Sequence, residues 1–142
     1  VSFAASAGQE GAQALVRAWL ASDRLPHAIL ICGPEGTGKR RLALELAKAL
    51  VCRQKGPLAC DECVSCRQVE AFSHPEVHPL IPLLSRERKG EEALEEMRGA
   101  AAQYLRQSYE PVASANIPVE SIRLLQSKMA YAPTQARRKV GL

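Results

Sequence analysis

The sequence predicts an α/β fold, a parallel sheet flanked by helices, and three observations carry that prediction. A short continuous apolar run, Ala28-Ile29-Leu30-Ile31-Cys32, stops at Gly33-Pro34. A run of this kind bounded by turn residues reads as a buried, parallel-type strand. Gly33 to Lys39 then fits the spacing G-x-x-x-x-G-K and leads straight into a helical stretch. Apolar residues at helical period lie on both sides of this pair. With 142 residues, the chain has the length of one domain.

Taken in order, the first element is an amphipathic helix over 9–22, where Ala12, Leu15, Val16, Trp19 and Leu20 follow i, i+3, i+4, i+7, i+8. Asp23 to Pro26 breaks it, and the 28–32 strand follows. Lys39 to Val51 is a helix of good formers, with Leu42, Leu46 and Leu50 on one face and Ala43 and Ala47 beside them. The cysteine segment, 52–66, interrupts the periodicity, and helical character resumes over 66–71. Val77 to Leu83 reads as a second strand, with Pro79 and Pro82 placing it at an edge or a bulge. Glu91 to Tyr109 is a helix with Leu94, Met97, Ala101, Tyr104 and Leu105 inward, its acidic residues early as the helix dipole favours. Asn116-Ile117-Pro118 opens a last helix, with Ile122, Leu125 and Met129 as its apolar stripe, and Pro133 lies beyond its end.

Composition narrows the class. Hydrophobic residues make up 46% and charged residues 24%, which marks a globular chain, and aromatics are only 4%, which favours helices over an aromatic-rich sandwich. No apolar run approaches the roughly 20 residues of a membrane span. The start, Val1-Ser2-Phe3-Ala4, lacks the plan of a signal peptide, and the absence of an initiating Met points to a trimmed N-terminus. The expectation is a cytoplasmic protein with no membrane partner. A net charge of +4 is compatible with a nucleic-acid neighbour without requiring one. The basic cluster Arg137-Arg138-Lys139 reads equally well as a solvated turn.

The residues Gly33, Pro34, Glu35, Gly36, Thr37, Gly38, Lys39 and Arg40 form the candidate nucleotide-binding loop. Glycines let successive backbone N–H groups point inward as an anion nest, and the following helix adds its N-terminal partial charge. Lys39 is placed to reach the β and γ phosphates of ATP. Arg40 stands where a magnesium-binding hydroxyl belongs, and a guanidinium has no acceptor to offer a metal. Hydrolysis also needs an acidic pair at the end of another strand. The only Asp-Glu pair, Asp61-Glu62, lies in the cysteine segment. We therefore expect phosphate binding without efficient turnover and name no catalytic residue.

Cys52, Cys60, Cys63 and Cys66 supply four thiols within fifteen residues. C-x₂-C spacing lets two thiolates chelate one ion through a tight turn, and four thiolates close a tetrahedral shell around a structural Zn²⁺. An iron–sulfur cluster has less supporting context, and paired disulfides do not suit a reducing compartment. Cys32 reads as a buried thiol. His74 and His78 read as strand-end residues and His27 as structural.

Leu25-Pro26-His27-Ala28-Ile29-Leu30 leading into the glycine loop resembles the opening of bacterial DNA polymerase III clamp-loader subunits, which are AAA+ proteins. Gly8-Gln9-Glu10 resembles the segment before their first helix. The four cysteines fall where those subunits carry a zinc-binding module, and Ala130-Tyr131-Ala132-Pro133 with Arg138-Lys139-Val140 resembles their run into the third strand. Of the two subunit types that share this plan, gamma/tau hydrolyses ATP and delta prime often has a degraded loop and acts as a rigid stator. His74-Pro75-Glu76-Val77-His78 and Ile117-Pro118-Val119-Glu120-Ser121-Ile122-Arg123 resemble runs of delta prime, and Arg40 points the same way.

The resemblance implies that 1–142 is the N-terminal part of an AAA+ domain, ending before Walker B. It carries a zinc module over 52–66, and 85–115 reads as an insertion. It implies a partial sheet, since the first and second strands of such sheets are not neighbours, and hence an open form or association of copies. The implied partners are the delta and gamma/tau subunits and, through them, the sliding clamp and primer–template DNA. A gamma/tau-type ATPase and a zinc-ribbon DNA-binding module are the alternatives.

Overall fold

The computed structural model describes residues 9–54, 56, 58–83, 90–106 and 116–142, with the side chains of 104–106 excepted. Along the chain run α1 (Glu10–Ser22), α2 (Lys39–Val51), α3 (Val64–Glu70), β1 (Val77–His78), α4 (Gly90–Arg106), α5 (Val119–Ala130) and β2 (Val140–Gly141). The helices match the sequence periodicities closely. The sequence-predicted end of α4 at 107–109, the flanks of the 85–115 insertion and Gly8 lie outside the described residues. Among the described residues no helix is long and apolar enough to cross a membrane.

α2 is the centre of the packing. Leu42 and Leu46 meet Val16 of α1, with Trp19, Leu20, Ile29 and Ile31 around them. On the opposite side Leu44, Ala47 and Val51 join Val69, Phe72, Val77 and Ala101. A helix flanked on both sides in this way is buried beyond a single stripe, which is why Glu45 and Lys48 are buried with the leucines. A third cluster places Leu94 and Met97 of α4 against Leu83, Ile117 and Leu124.

β1 and β2 pair in parallel, Val77 opposite Val140 and His78 opposite Gly141. The ladder extends through Val140 N to Glu76 O (2.9 Å), Leu142 N to His78 O (2.9 Å) and Leu80 N to Leu142 O (2.6 Å). The predicted strand over 77–83 is therefore shorter than its apolar run. Pro79 and Pro82 have no N–H to give the ladder. Leu83 forms instead an isolated antiparallel bridge with Asn116. Gly141 lies under α5, where an added Cβ would come within 3.2 Å of the Leu125 side chain. Glu76 is buried beside β1, and its Oε1 accepts from Thr134 N (2.7 Å), Thr134 Oγ1 (2.8 Å) and Gln135 N (3.3 Å). One carboxylate thus fixes the turn that delivers β2.

Three expectations are corrected. Residues 28–32 are not a buried strand: they carry no ladder among the described residues, and Leu30 is 87% exposed. A cleft of about 580 Å³ lies along this segment, lined by Ile29 and Ile31 on one side and by Leu125, Val140 and Leu142 on the other. Cys32 is consequently exposed rather than a core thiol, since no strand among the described residues covers it. On α5, Ile122 and Met129 are exposed and Ser121 is the buried residue. The helix is rotated so that Leu124 and Leu125 face inward, because those positions reach α4 and Gly141.

His78 sits in β1 with its Nδ1 3.2 Å from an Arg98 nitrogen. Burial and the Arg98 charge push it down from the usual histidine value to about 4. His74, also buried, is pushed down chiefly by burial. Both are neutral in the fold and take up protons on unfolding. Their contribution is fully present above an unfolded value near 6.5 and is lost as pH falls toward 4. The histidine part of the urea midpoint, read as the difference between the unsubstituted chain and a histidine variant, should be flat above pH 6.5 and drop between pH 6.5 and 4. His78→Gln should flatten part of that drop, and an unchanged profile in this variant would refute the assignment.

Candidate metal centre and glycine loop

The four cysteines converge although they come from three segments. Cys52 ends α2 as its C-cap residue, Cys60 and Cys63 bracket a turn, and Cys66 lies in α3. All four Sγ atoms lie within 4.8 Å of one another. Cys52 to Cys60 is 3.6 Å, Cys52 to Cys63 is 4.0 Å and Cys60 to Cys66 is 3.9 Å. Tetrahedral thiolates at about 2.3 Å from one ion stand about 3.8 Å apart, so these spacings fit a single closed site. They are far longer than a disulfide bond of about 2.05 Å, and all four cysteines are free thiols. The site can hold a metal ion, as the C-x₂-C spacings predict.

Local geometry favours thiolates. Cys63 N donates to Cys60 Sγ (3.3 Å) and Cys66 N to Cys63 Sγ (3.5 Å), the latter as the cap of α3. Burial pushes the thiol of Cys63 up, but N–H bonds from Arg53 and Cys66 and bonds from the Cys66 and Cys60 thiols outweigh it, holding Cys63 at about 6. Burial raises Cys66 and Cys52 instead. One thiolate is therefore ready near neutral pH, and a metal must displace protons from buried neighbours.

The frame around the cluster is ionic, and the sequence reading missed it. Lys48 Nζ, 2% exposed, bonds Asp61 Oδ1, Glu45 Oε1 (2.9 Å) and Glu70 Oε2 (3.2 Å). Arg41 spans Glu45 and Glu70, each at 2.7 Å. Burial disfavours the Lys48 ammonium, yet its bonds to Asp61 and Glu45 leave it above its ordinary value. Burial likewise opposes the Asp61 carboxylate, and Lys48 more than offsets it. The signal was present as a charged stripe, Arg41, Glu45 and Lys48 at i, i+4, i+7, on the face of α2 opposite Leu42, Leu46 and Leu50. Of the partners of Lys48, the buried Glu45 shares that stripe, but the half-buried Asp61 and the exposed Glu70 come from other segments, which no periodicity joins to it.

The glycine loop precedes α2. Gly33, Gly36 and Gly38 have φ of 152°, 77° and 80°, values that L side chains rarely adopt. Gly38 is the N-cap of α2 and its carbonyl accepts from Leu42 N (3.0 Å). Thr37 Oγ1 donates to Pro34 O (2.8 Å), and Lys39 Nζ also bonds Pro34 O. Lys39 thus folds back over its own loop. Pro34, Glu35 and Arg40 are exposed. The loop and the cysteines share α2 but lie at its opposite ends, so they are separate sites.

Cobalt titration should give one equivalent per chain, with intense thiolate-to-metal absorption. Cys60→Ser or Cys63→Ser should remove most of that absorption. Metal affinity should fall as pH is lowered, because bound protons compete.

The chain is 43% identical over 60 residues to DNA polymerase III subunit delta' of Bacillus subtilis, covering 42% of this chain and 18% of that protein. It is 39% identical over 57 residues to the subunit of the same name from Haemophilus influenzae, covering 40% and 17%. It is 45% identical over 67 residues to DNA polymerase III subunit gamma/tau of Mycobacterium tuberculosis, covering 46% and 11%. The matched segments span less than a fifth of the length of these curated relatives. The sequence model of the family described as "DNA polymerase III, delta subunit" matches residues 8–142. With that match over nearly all of its length, the chain belongs to this family of clamp-loader subunits.

Proposed function

We propose that the chain is part of a delta prime-type clamp-loader subunit, a largely structural AAA+ stator that helps load the sliding clamp onto primed DNA. The observation that carries this reading is the junction at Lys39-Arg40. A loop of three left-handed or near-extended glycines opens onto a helix whose second residue is an exposed arginine. Gly33 to Lys39 offers the backbone and ammonium donors that suit a phosphate chain. Arg40 offers no oxygen for Mg²⁺, and the Thr37 hydroxyl is engaged with Pro34 O. Binding ATP requires Lys39 to exchange its bond to Pro34 O for the phosphates. These residues can hold and orient nucleotide, and nothing among them activates water.

In this reading Cys52, Cys60, Cys63 and Cys66 hold one structural Zn²⁺, whose chemistry is to cross-link the end of α2 to α3. The thiol spacings and the N–H bonds to sulfur support that set. The proposed partners are the delta and gamma/tau subunits and, through the complex, the clamp and primer–template DNA, all in the cytoplasm. Residues 85–115 are proposed as an insertion within the AAA+ plan.

An ATP-hydrolysing gamma/tau-type subunit is the second reading, favoured by the 45% identity to the mycobacterial gamma/tau protein. Phosphate release by the full-length protein decides between the two. We expect Mg²⁺-dependent release no faster than that of the Lys39→Ala variant, which in turn should bind nucleotide at least about tenfold more weakly. Release that Lys39→Ala abolishes would establish the second reading.

The exposed Leu30 and the cleft beside 28–32 lead us to propose that copies of the 142-residue chain associate. Light scattering should show a mass that rises with concentration, and a clean monomer at high concentration contradicts the proposal.

A further inference from the structure

Chelating turns need a backbone held in place before the metal arrives. Here the turn between Cys60 and Cys63 contains Asp61 at φ 60°, a left-handed conformation in a residue with a side chain. Few residues other than glycine adopt this region, Asp among them, and they persist there where their surroundings fix them. The Asp61 carboxylate bonds the buried Lys48 ammonium, which ties the turn to α2.

The same ammonium reaches the other ligand segments. Cys52 lies one helical turn beyond Lys48 on α2. Glu70 lies one turn beyond Cys66 on α3 and bonds both Lys48 and Arg41. All three segments that deliver the four thiols are therefore joined at one nitrogen. Lys48 and Arg41 between them bond Glu45, Asp61 and Glu70. Bonds that join separate segments of chain fix the spacing of those segments, so the contribution to the metal centre is geometric.

We propose that Lys48 is the positioning residue of the metal centre: through Asp61 and Glu70 it presets Cys60, Cys63 and Cys66 against Cys52. This rests on the four-cysteine metal site proposed above. It also joins metal occupancy to the helix that opens at the glycine loop, since Lys48 and Lys39 share α2.

The test is zinc affinity of the 142-residue chain, measured by competition with a chromophoric chelator, alongside the cobalt spectrum of each variant. Asp61→Asn keeps Lys48 paired with Glu45 and should weaken zinc binding about 10–100-fold, the range for outer partners of metal ligands. Its cobalt bands should shift or lose intensity, which a site that was only less stable but undistorted would not show. Lys48→Met should lose at least as much. The double variant should lose no more than Lys48→Met alone, because the Lys48–Asp61 bond that Asp61→Asn breaks is already gone with the ammonium.

Glu62→Gln removes an exposed charge from the same turn and should leave affinity and spectrum unchanged. Because Lys48→Met takes one of its two cationic partners from the buried Glu45, circular dichroism accompanies it, and Asp61→Asn decides the matter if that variant does not fold. Wild-type affinity and spectrum in Asp61→Asn would overturn the Lys48 assignment and leave the metal site standing. Equal losses in Asp61→Asn and Glu62→Gln would overturn it in favour of simple charge. Failure of the unsubstituted chain to bind zinc or cobalt overturns both.

Discussion

A lysine ammonium cannot be buried alone. Its desolvation penalty is several kcal/mol even after the protein relaxes, and the structure meets it by bringing three carboxylates from three places to Lys48 Nζ. That requirement organises the first half of the chain. It sets α3 against α2, pins the turn that bears two cysteines, and leaves the remaining faces of α2 to the two apolar clusters. Within this group the buried Lys48–Glu45 pair is the costly one to break, because either residue left behind stays buried with less compensation, whereas the exposed Glu70 is worth little. Val69 and Phe72 supply non-directional apolar contact beneath α3. The ion pairs to Glu70 add a direction, because they join named atoms on the two helices.

Local signals in the sequence were read well where a single element carried them. α2 runs over Lys39–Val51 as its formers predict, and the inward faces of α4 at Leu94, Met97 and Ala101 are buried. The cysteine cluster was legible because C-x₂-C spacing is itself a geometric statement. The ionic frame was not, because Glu45, Asp61 and Glu70 are brought together by the packing of α2, the turn and α3, which no periodicity encodes. The rotation of α5 was missed for a related reason. Its stripe offered two apolar faces, and the choice between them lies with Gly141 and α4, not with the helix.

The 28–32 segment shows the limit of propensity. Its composition suits a central strand, but a strand is a relation between two backbones, and no ladder reaches it among the described residues. Leu30 and Cys32 are exposed as a result. At the other end of the loop, Arg40 is informative for the chemistry it lacks. A helix N-terminus and a glycine nest attract phosphate whatever follows them, whereas metal-assisted hydrolysis depends on one oxygen at one position.

The parallel pairing of Val77 with Val140 has a kinetic side. Its two strands are separated by the whole of α4 and α5, whereas Cys52 and Cys66, or Lys48 and Glu70, are joined by a short stretch of chain. Loop-closure entropy grows with the length enclosed, and contacts between distant residues form late for that reason. During synthesis every residue of the thiol cluster and of its ionic frame is translated before β2 is. The half of the chain that can capture metal is thus equipped to close first and to serve as the surface on which Glu76 and β1 wait for their partner.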